Sequence, residues 1–194
     1  MKHGAASASA MGRFEVEMLT RPENLEALTD LPGRWIDAVH GQQPPKSITL
    51  DMDSSESPVH SDQEGAVWNG HFQTKCLHPL FVFNQYGDPE RCVLRPGNVH
   101  SAHCWEDVLK PVLARFSAMA RPSITRQRFR ADAAFAIPAP LDLLETEGCD
   151  YATRIKGNPK LHEQIGWLMK RYLGRPPNRV VREYTSFHYR AKSW

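Results

Sequence analysis

Cysteine is scarce and unpaired in pattern: Cys76, Cys92, Cys104 and Cys149 are the only four in 194 residues, and no two of them share CxxC spacing. A disulfide framework is therefore not expected. Long apolar runs are missing too. The first ten residues, MKHGAASASA, hold one lysine and several small side chains but no apolar segment of the secretory kind, and nowhere does a run approach the length of a membrane span. The expectation is a cytoplasmic chain in a reducing compartment, with no membrane partner. Charge of one sign is not in excess either: 24 Lys and Arg stand against 22 Asp and Glu, and the resulting +2 points to no partner by itself. No internal repeat or low-complexity run is present.

At 22.0 kDa the chain can bury one sizeable core, with room for an extension in front of it. Charge distribution says more than the total. Basic residues thin out between Ile48 and Glu64 and gather at 121–130 and 156–182, as they would in a DNA-facing enzyme with an acidic metal pocket. Solvated faces on an ordinary domain produce the same pattern.

Residues 11–40 read as helical. Leu25, Leu28, Leu31, Trp35 and Val39 recur every three or four positions, and Pro32-Gly33 predicts a break into two short helices. The Pro44-Pro45 step punctuates the chain, which places an N-terminal helical extension at 1–46 and a second unit at 47–194. In that unit Ser47-Ile-Thr-Leu-Asp-Met-Asp53 alternates as a strand, putting Asp51 and Asp53 on one face. A polar loop at 54–70 follows, then a hairpin built from 77–84 and 91–94 around Gly87-Asp88. After a Pro96-Gly97-Asn98 break, His100-Ser101 is a candidate cap for a helix carrying Trp105, Val108, Leu109, Val112, Leu113 and Phe116. A strand at 126–132, a helix at 141–147, a strand at 151–155 and a helix at 161–172 complete the order. That order excludes all-helical and all-β classes and predicts an α/β fold. It is the order of an RNase H-like mixed sheet flanked by helices.

Phosphodiester transfer needs an activated nucleophile and stabilised charge on both the transition state and the leaving oxygen, which divalent ions held by carboxylates supply. Hard ions such as Mg²⁺ need only a few Asp or Glu side chains converging from separate elements. Asp53 ends the first strand of the expected core and Asp132 the fourth. Those strands are neighbours in an RNase H-like sheet, so the two acids could share an ion. An aspartate at a strand end is equally at home as a turn former.

Three blocks carry a resemblance: LDMDSSESPVHSDQEGAVWNGHF at 50–72, HPLFVFNQYGDPERCVLRPGNVHSA at 78–102 and RFRADAAFA at 128–136. Together with MGRFEVEMLTRPENLEALTDLPGRWID at 11–37, they resemble IS1380-group transposases within the IS4-like DDE class. The likeness covers everything after the first ten residues. It implies that Asp53, followed by Ser54-Ser55, is the first catalytic acid, with Asp51 the alternate, and that Asp132 is the second. It further implies Mg²⁺ or Mn²⁺, hydrolytic cutting at transposon ends, attack of the freed 3′-hydroxyl on target DNA, and nucleoid association in a bacterium. The third acid of that class is a Glu on a Tyr-x-x-Arg-type helix, and no block here resembles it; the surroundings of Glu145, Glu147, Glu163 and Glu183 all differ. The expectation is a catalytic domain truncated at its C-terminus, weakly active or inactive alone. Two alternatives accompany it: a non-catalytic DNA-binding or oligomerising transposon remnant, and an RNase H-like nuclease unrelated to transposition.

Double-stranded DNA is thus the expected partner, with a homo-oligomer possible. Arg126, Arg128 and Arg130 alternate along one strand and could face phosphates, or could simply be charges on an exposed edge. Lys170, Arg171, Arg175 and Arg179 surround a proline-stiffened break and could follow a DNA backbone. His100, His103 and Cys104, with Cys76 and His78 upstream, make a zinc site conceivable but lack its paired spacing. The Arg95-Pro-Gly97 turn with Asn98 and His100 reads as structural, contact with the metal pocket or DNA being the alternative. Trp68, Trp105, Trp167, Phe81 and Phe83 are expected in the core.

Overall fold

The computed structural model describes residues 5–117, 120–169, 173–175 and 178–191. Its centre is β1 (Ser47–Ser54), whose alternation drives Ile48, Leu50 and Met52 into the core while Thr49, Asp51 and Asp53 face the other way. β5 (Leu80–Asn84) and β6 (Pro89–Val93) add antiparallel on one side, whereas β7 (Arg126–Ala131) and β8 (Asp150–Thr153) add parallel on the other. The strand order is β6-β5-β1-β7-β8. This mixed five-stranded sheet, flanked by helices, is an α/β architecture of the RNase H-like kind.

One face of the sheet is covered by α3 (Trp105–Phe116) and α4 (Pro138–Thr146). Val108, Leu109, Val112, Leu113 and Phe116 form the buried stripe of α3, and they meet Leu80, Val82, Phe129, Phe135 and Leu144 in one cluster. Each such side chain stabilises by roughly 1.5–3 kcal/mol when fully buried. Phe81 and Phe83 are absent from that cluster. They stack on each other at 5.5 Å on the opposite face, correcting the expectation that they belong to the core. Strict alternation explains it, since Leu80 and Val82 take the inward positions. Trp105 is buried as expected, but Trp68 and Trp167 are exposed.

The polar loop after β1 contains more than expected. β2 (Ser57–Pro58), β3 (Val67–Asn69) and β4 (Thr74–Leu77) form a small separate sheet in the order β2-β4-β3. Gly97 is seated against it, where an added Cβ would lie 2.0 Å from the Cys76 carbonyl oxygen and 2.6 Å from that of Val67. Only glycine fits there.

Three helices begin on proline: α2 (Pro22–Gln42), α4 and α5 (Pro159–Ile165). Those starts precede the expected ones at 141 and 161, because the first turn is set by proline's fixed φ rather than by apolar spacing. The expected cap of α3 is also displaced: Cys104, at φ +56°, is the N-cap residue, while the His100 ring nitrogen accepts the Ala102 N–H within the preceding turn.

Before β1 the chain is helical, with α1 (Ala8–Arg13), a π-helical turn (Phe14–Leu19) and α2. Pro32-Gly33 does not break α2, which runs for 21 residues through both. Proline removes one intrahelical donor, but the other side of the helix is held from outside. Arg115 of α3 donates to the Gly33 carbonyl at 2.9 Å and to Asp37 at 2.7 Å, and it approaches so closely that a Cβ on Gly33 would meet it at 2.2 Å. Gly33, Ile36 and His40 are the buried residues of α2. Leu25, Leu28, Leu31, Trp35 and Val39, the positions that define its apolar period, are all exposed.

Candidate active site

β1 and β7 run parallel in a register that pairs Asp51 with Arg130 and Met52 with Ala131. Asp53 and Asp132 each stand one residue beyond the last pair, at the same end of neighbouring strands roughly 4.8 Å apart. Both are exposed. Local hydrogen bonds orient each carboxylate: Asp53 Oδ1 accepts the Ser54 N–H at 2.8 Å, and Asp132 Oδ1 accepts the Ala134 N–H at 2.9 Å. The Phe135 N–H also donates to the Asp132 carbonyl at 3.3 Å, closing a turn whose Phe135 anchor is fully buried. Each acid keeps one oxygen with no protein donor among the described residues.

Asp51 lies one pleat back on the same face as Asp53, but both of its oxygens are engaged. Arg130 holds it through Nε at 2.6 Å and Nη2 at 2.5 Å, and the Asp51 hydrogen bond and charge in turn push the Arg130 guanidinium above its ordinary value. Arg126 is likewise occupied, by Asp150 at 2.7 Å. Among the described residues Arg128, between them, has no ion-pair or hydrogen-bonding side-chain partner. It lines an open cleft of about 350 Å³ with Thr49, Tyr151 and Ala152. Of the downstream basic residues, Arg175 and Arg179 are exposed, and Lys170 and Arg171 lie outside the described residues.

Beside this sheet end is a buried cluster that the sequence did not disclose. Arg95 donates through Nε to the His78 carbonyl at 2.8 Å, and through Nη1 to the carbonyls of Ser101 at 2.8 Å and His103 at 2.5 Å. It ties the loop before α3 to the start of β5. That start is joined to the acid-bearing strand by the Ser55 N–H, which donates to the Pro79 carbonyl at 3.1 Å. Burial, the largest cause, pushes the imidazole of His78 below its ordinary value, although its Nδ1 contact with the Val99 carbonyl at 3.1 Å acts the other way. The RPGNVHS run was the available signal, and its turn residues concealed a buried guanidinium.

A second buried network lies across the core. Glu90 of β6, 1% exposed, accepts from Asn84 at 2.8 Å and pairs with Arg115 at 3.0 Å, while Asp37 of α2 holds both Arg115 and Arg121. Burial pushes the Glu90 carboxyl up, with Asn84 and Arg115 partly offsetting it. Its charges join α2, α3 and β6, and do not face the acids.

Two carboxylates with a free oxygen each, on adjacent strand ends, are a hard-oxygen donor set that suits a Mg²⁺-like ion completing its shell with water. Among the described residues no group of three His, Cys, Asp or Glu side chains converges, whether around this pair or around His100, His103 and Cys104. Glu145, whose Oε1 accepts from the Tyr151 hydroxyl at 2.8 Å, belongs to no such group. No described helix is long and apolar enough to cross a membrane.

No curated protein and no solved structure matches the chain. A protein family does, over residues 1–194, and it is described as transposase DDE domain group 1. With acids at adjacent strand ends of an RNase H-like sheet and a family match over its whole length, the chain belongs to the DDE transposases, the enzymes of DNA transposition.

Proposed function

We propose that Asp53 and Asp132 are the first and second catalytic acids of a transposase core of the IS1380 group, in the IS4-like class, acting on transposon ends and target DNA. The observation that supports this reading is the shared register of β1 and β7, which brings the two acids to one sheet end with an oxygen free on each. DDE transposase domains use divalent metal ions, and Mg²⁺ or Mn²⁺ is the proposed one. When bound, such an ion lowers the pKa of water and neutralises charge on the scissile phosphate. The Asp53 and Asp132 carboxylates would hold it, each braced by a backbone N–H one or two residues ahead. Asp51 is a poorer ligand, because Arg130 occupies both its oxygens.

Arg128 is the proposed phosphate contact on β7, since its guanidinium is uncommitted while those of Arg126 and Arg130 are neutralised. Arg175 and Arg179 supply further backbone contacts, and residues 47–194 form the catalytic unit behind an extension at 1–46. A chain with this role works where bacterial DNA lies, at the nucleoid. With two acids at this sheet end and no third beside them among the described residues, the isolated chain is expected to hold its ion weakly and cut slowly.

The test is a Mg²⁺ and Mn²⁺ titration with transposon-end duplexes, reading cleavage and binding separately. Metal-dependent cutting that disappears in Asp53→Asn and Asp132→Asn supports the reading. DNA binding with no cutting at any ion concentration would favour a non-catalytic DNA-binding role, and equal cutting of unrelated duplexes a general nuclease.

A further inference from the structure

We propose that Arg130 is a phosphate-operated latch on Asp51: in the free chain it withholds that carboxylate, and on passing to a DNA phosphate it releases Asp51 as a third ligand for the divalent ion. The proposal rests on the reading of Asp53 and Asp132 as the acids that hold the ion. The register of β1 and β7 pairs Asp51 with Arg130 and ends one residue short of Asp53 and Asp132. Asp51 therefore stands directly behind Asp53 on the open face. Arg130 grips both of its oxygens, through Nε at 2.6 Å and Nη2 at 2.5 Å. Across the other strand boundary Asp51 faces Phe83, whose side chain offers no hydrogen bond.

Distance allows the third ligand. Successive residues on one face of a strand stand roughly 6.6 Å apart, and two carboxylates turned toward each other across that gap can share an ion at Mg–O lengths of about 2.1 Å. Asp51 is turned away from Asp53 because its oxygens are on Arg130. The latch is also weak enough to open. Its side chains are 59% exposed for Arg130 and 36% for Asp51, and exposed ion pairs contribute little. A phosphate takes the same guanidinium fork as a carboxylate does. A DNA backbone drawn in at Arg128, two residues back on the same face of β7, thus competes directly for Arg130.

Charge makes the exchange productive. With the latch shut, Arg130 cancels Asp51, and two carboxylates are left for a divalent ion. With it open, three are available and the arginine charge is spent on the phosphate. DNA contact and metal affinity are then coupled through one side chain, and by linkage each strengthens the other. Arg126 plays no such part, because its partner Asp150 lies at the start of β8, away from the acids.

Two measurements on the full chain test the latch. The first is metal-free, following duplex DNA binding in EDTA over a range of salt. Arg130→Gln should lower the slope of log K against log [salt] by about 0.9, the value of one lost phosphate contact. An unchanged slope, meaning that Arg130 stays on Asp51 in the complex, overturns the proposal. The second is DNA-free, following bound Mn²⁺ by electron paramagnetic resonance and water-proton relaxation. Arg130→Gln should tighten Mn²⁺ on the order of tenfold or more, the scale on which groups around a metal alter its affinity, and should remove one water from its shell. Adding Asp51→Asn should return both to the parent values. Tighter Mn²⁺ with an unchanged number of waters reflects charge alone, and overturns the latch while leaving Asp53 and Asp132 as the acids. Mn²⁺ that binds equally well after Asp53→Asn, or to no variant at all, overturns that assignment and the latch with it.

Discussion

The two faces of the central sheet are made from the same strands and do opposite work. On one, Ile48, Leu50, Met52, Val82 and Phe129 are sealed under α3 and α4. On the other, the intervening residues Thr49, Asp51, Asp53, Phe81, Phe83, Arg128 and Arg130 meet solvent or one another. The period of two lets a single strand serve as core and as chemical surface, and it makes the faces energetically independent. Side chains on the sealed face carry stability, whereas those on the open face carry charge at little cost to it.

The largest effect should come from the open face. Asp53→Asn or Asp132→Asn is expected to bring whatever metal-dependent cleavage the parent shows down to the metal-free background, as for one member of a catalytic unit, with Tm within a few degrees of the parent. A large drop in Tm would collapse the distinction between faces. On the sealed side, Arg115→Met strips the partner from the buried Glu90 carboxylate and should cost about 3–5 kcal/mol in urea unfolding. Leu50→Ala, in the middle of β1, should cost about 2–5 kcal/mol by cavity formation. Thr49→Ala, one residue away, should stay within about 0.5 kcal/mol.

Smaller again is Asp51→Asn. It breaks an exposed pair worth at most about 1 kcal/mol, and should instead free Arg130, detectable as tighter, more salt-dependent DNA binding.

Acid should act on the sealed side through histidine. His40 and His78 are both buried, and burial is the main cause holding each imidazole below its ordinary value. A base depressed in the fold resists protonation while the unfolded chain accepts it. Stability is therefore full above the unfolded value near pH 6.5 and is lost as pH falls from there through the folded values. Tm measured from pH 7 to pH 5 should decline, and more shallowly in His40→Gln; a flat profile would show that neither ring is protected.

Much of this was legible in the chain. The alternation of Ser47–Ser54 and the helical spacing of Trp105–Phe116 located the central strand and its covering helix, and both stand within a residue or so of where spacing put them. That the strands leading to Asp53 and Asp132 are neighbours followed from element order. The small sheet β2-β4-β3 was hidden, because strands of two to four residues have too few alternations to register. The starts of α4 and α5 were misplaced, because proline opens a helix without contributing to its apolar period. Charge was least legible: Arg126, Arg128 and Arg130 are equivalent in sequence, yet Asp150 and Asp51 occupy two and leave the third.

The sequence by itself determined which residues alternate and which recur every three or four, hence the element types, their order and the two acids worth testing. These are local properties, set by backbone geometry over a few residues. Only the tertiary structure decided that Arg95 and Glu90 are buried, that Pro32 lies inside an unbroken helix, and that the apolar period of α2 points to solvent. Each of those depends on a partner distant in the chain, such as Arg115 against Gly33 or Arg95 against His103. A one-dimensional pattern shows that a face is apolar, and only the fold shows whether anything covers it.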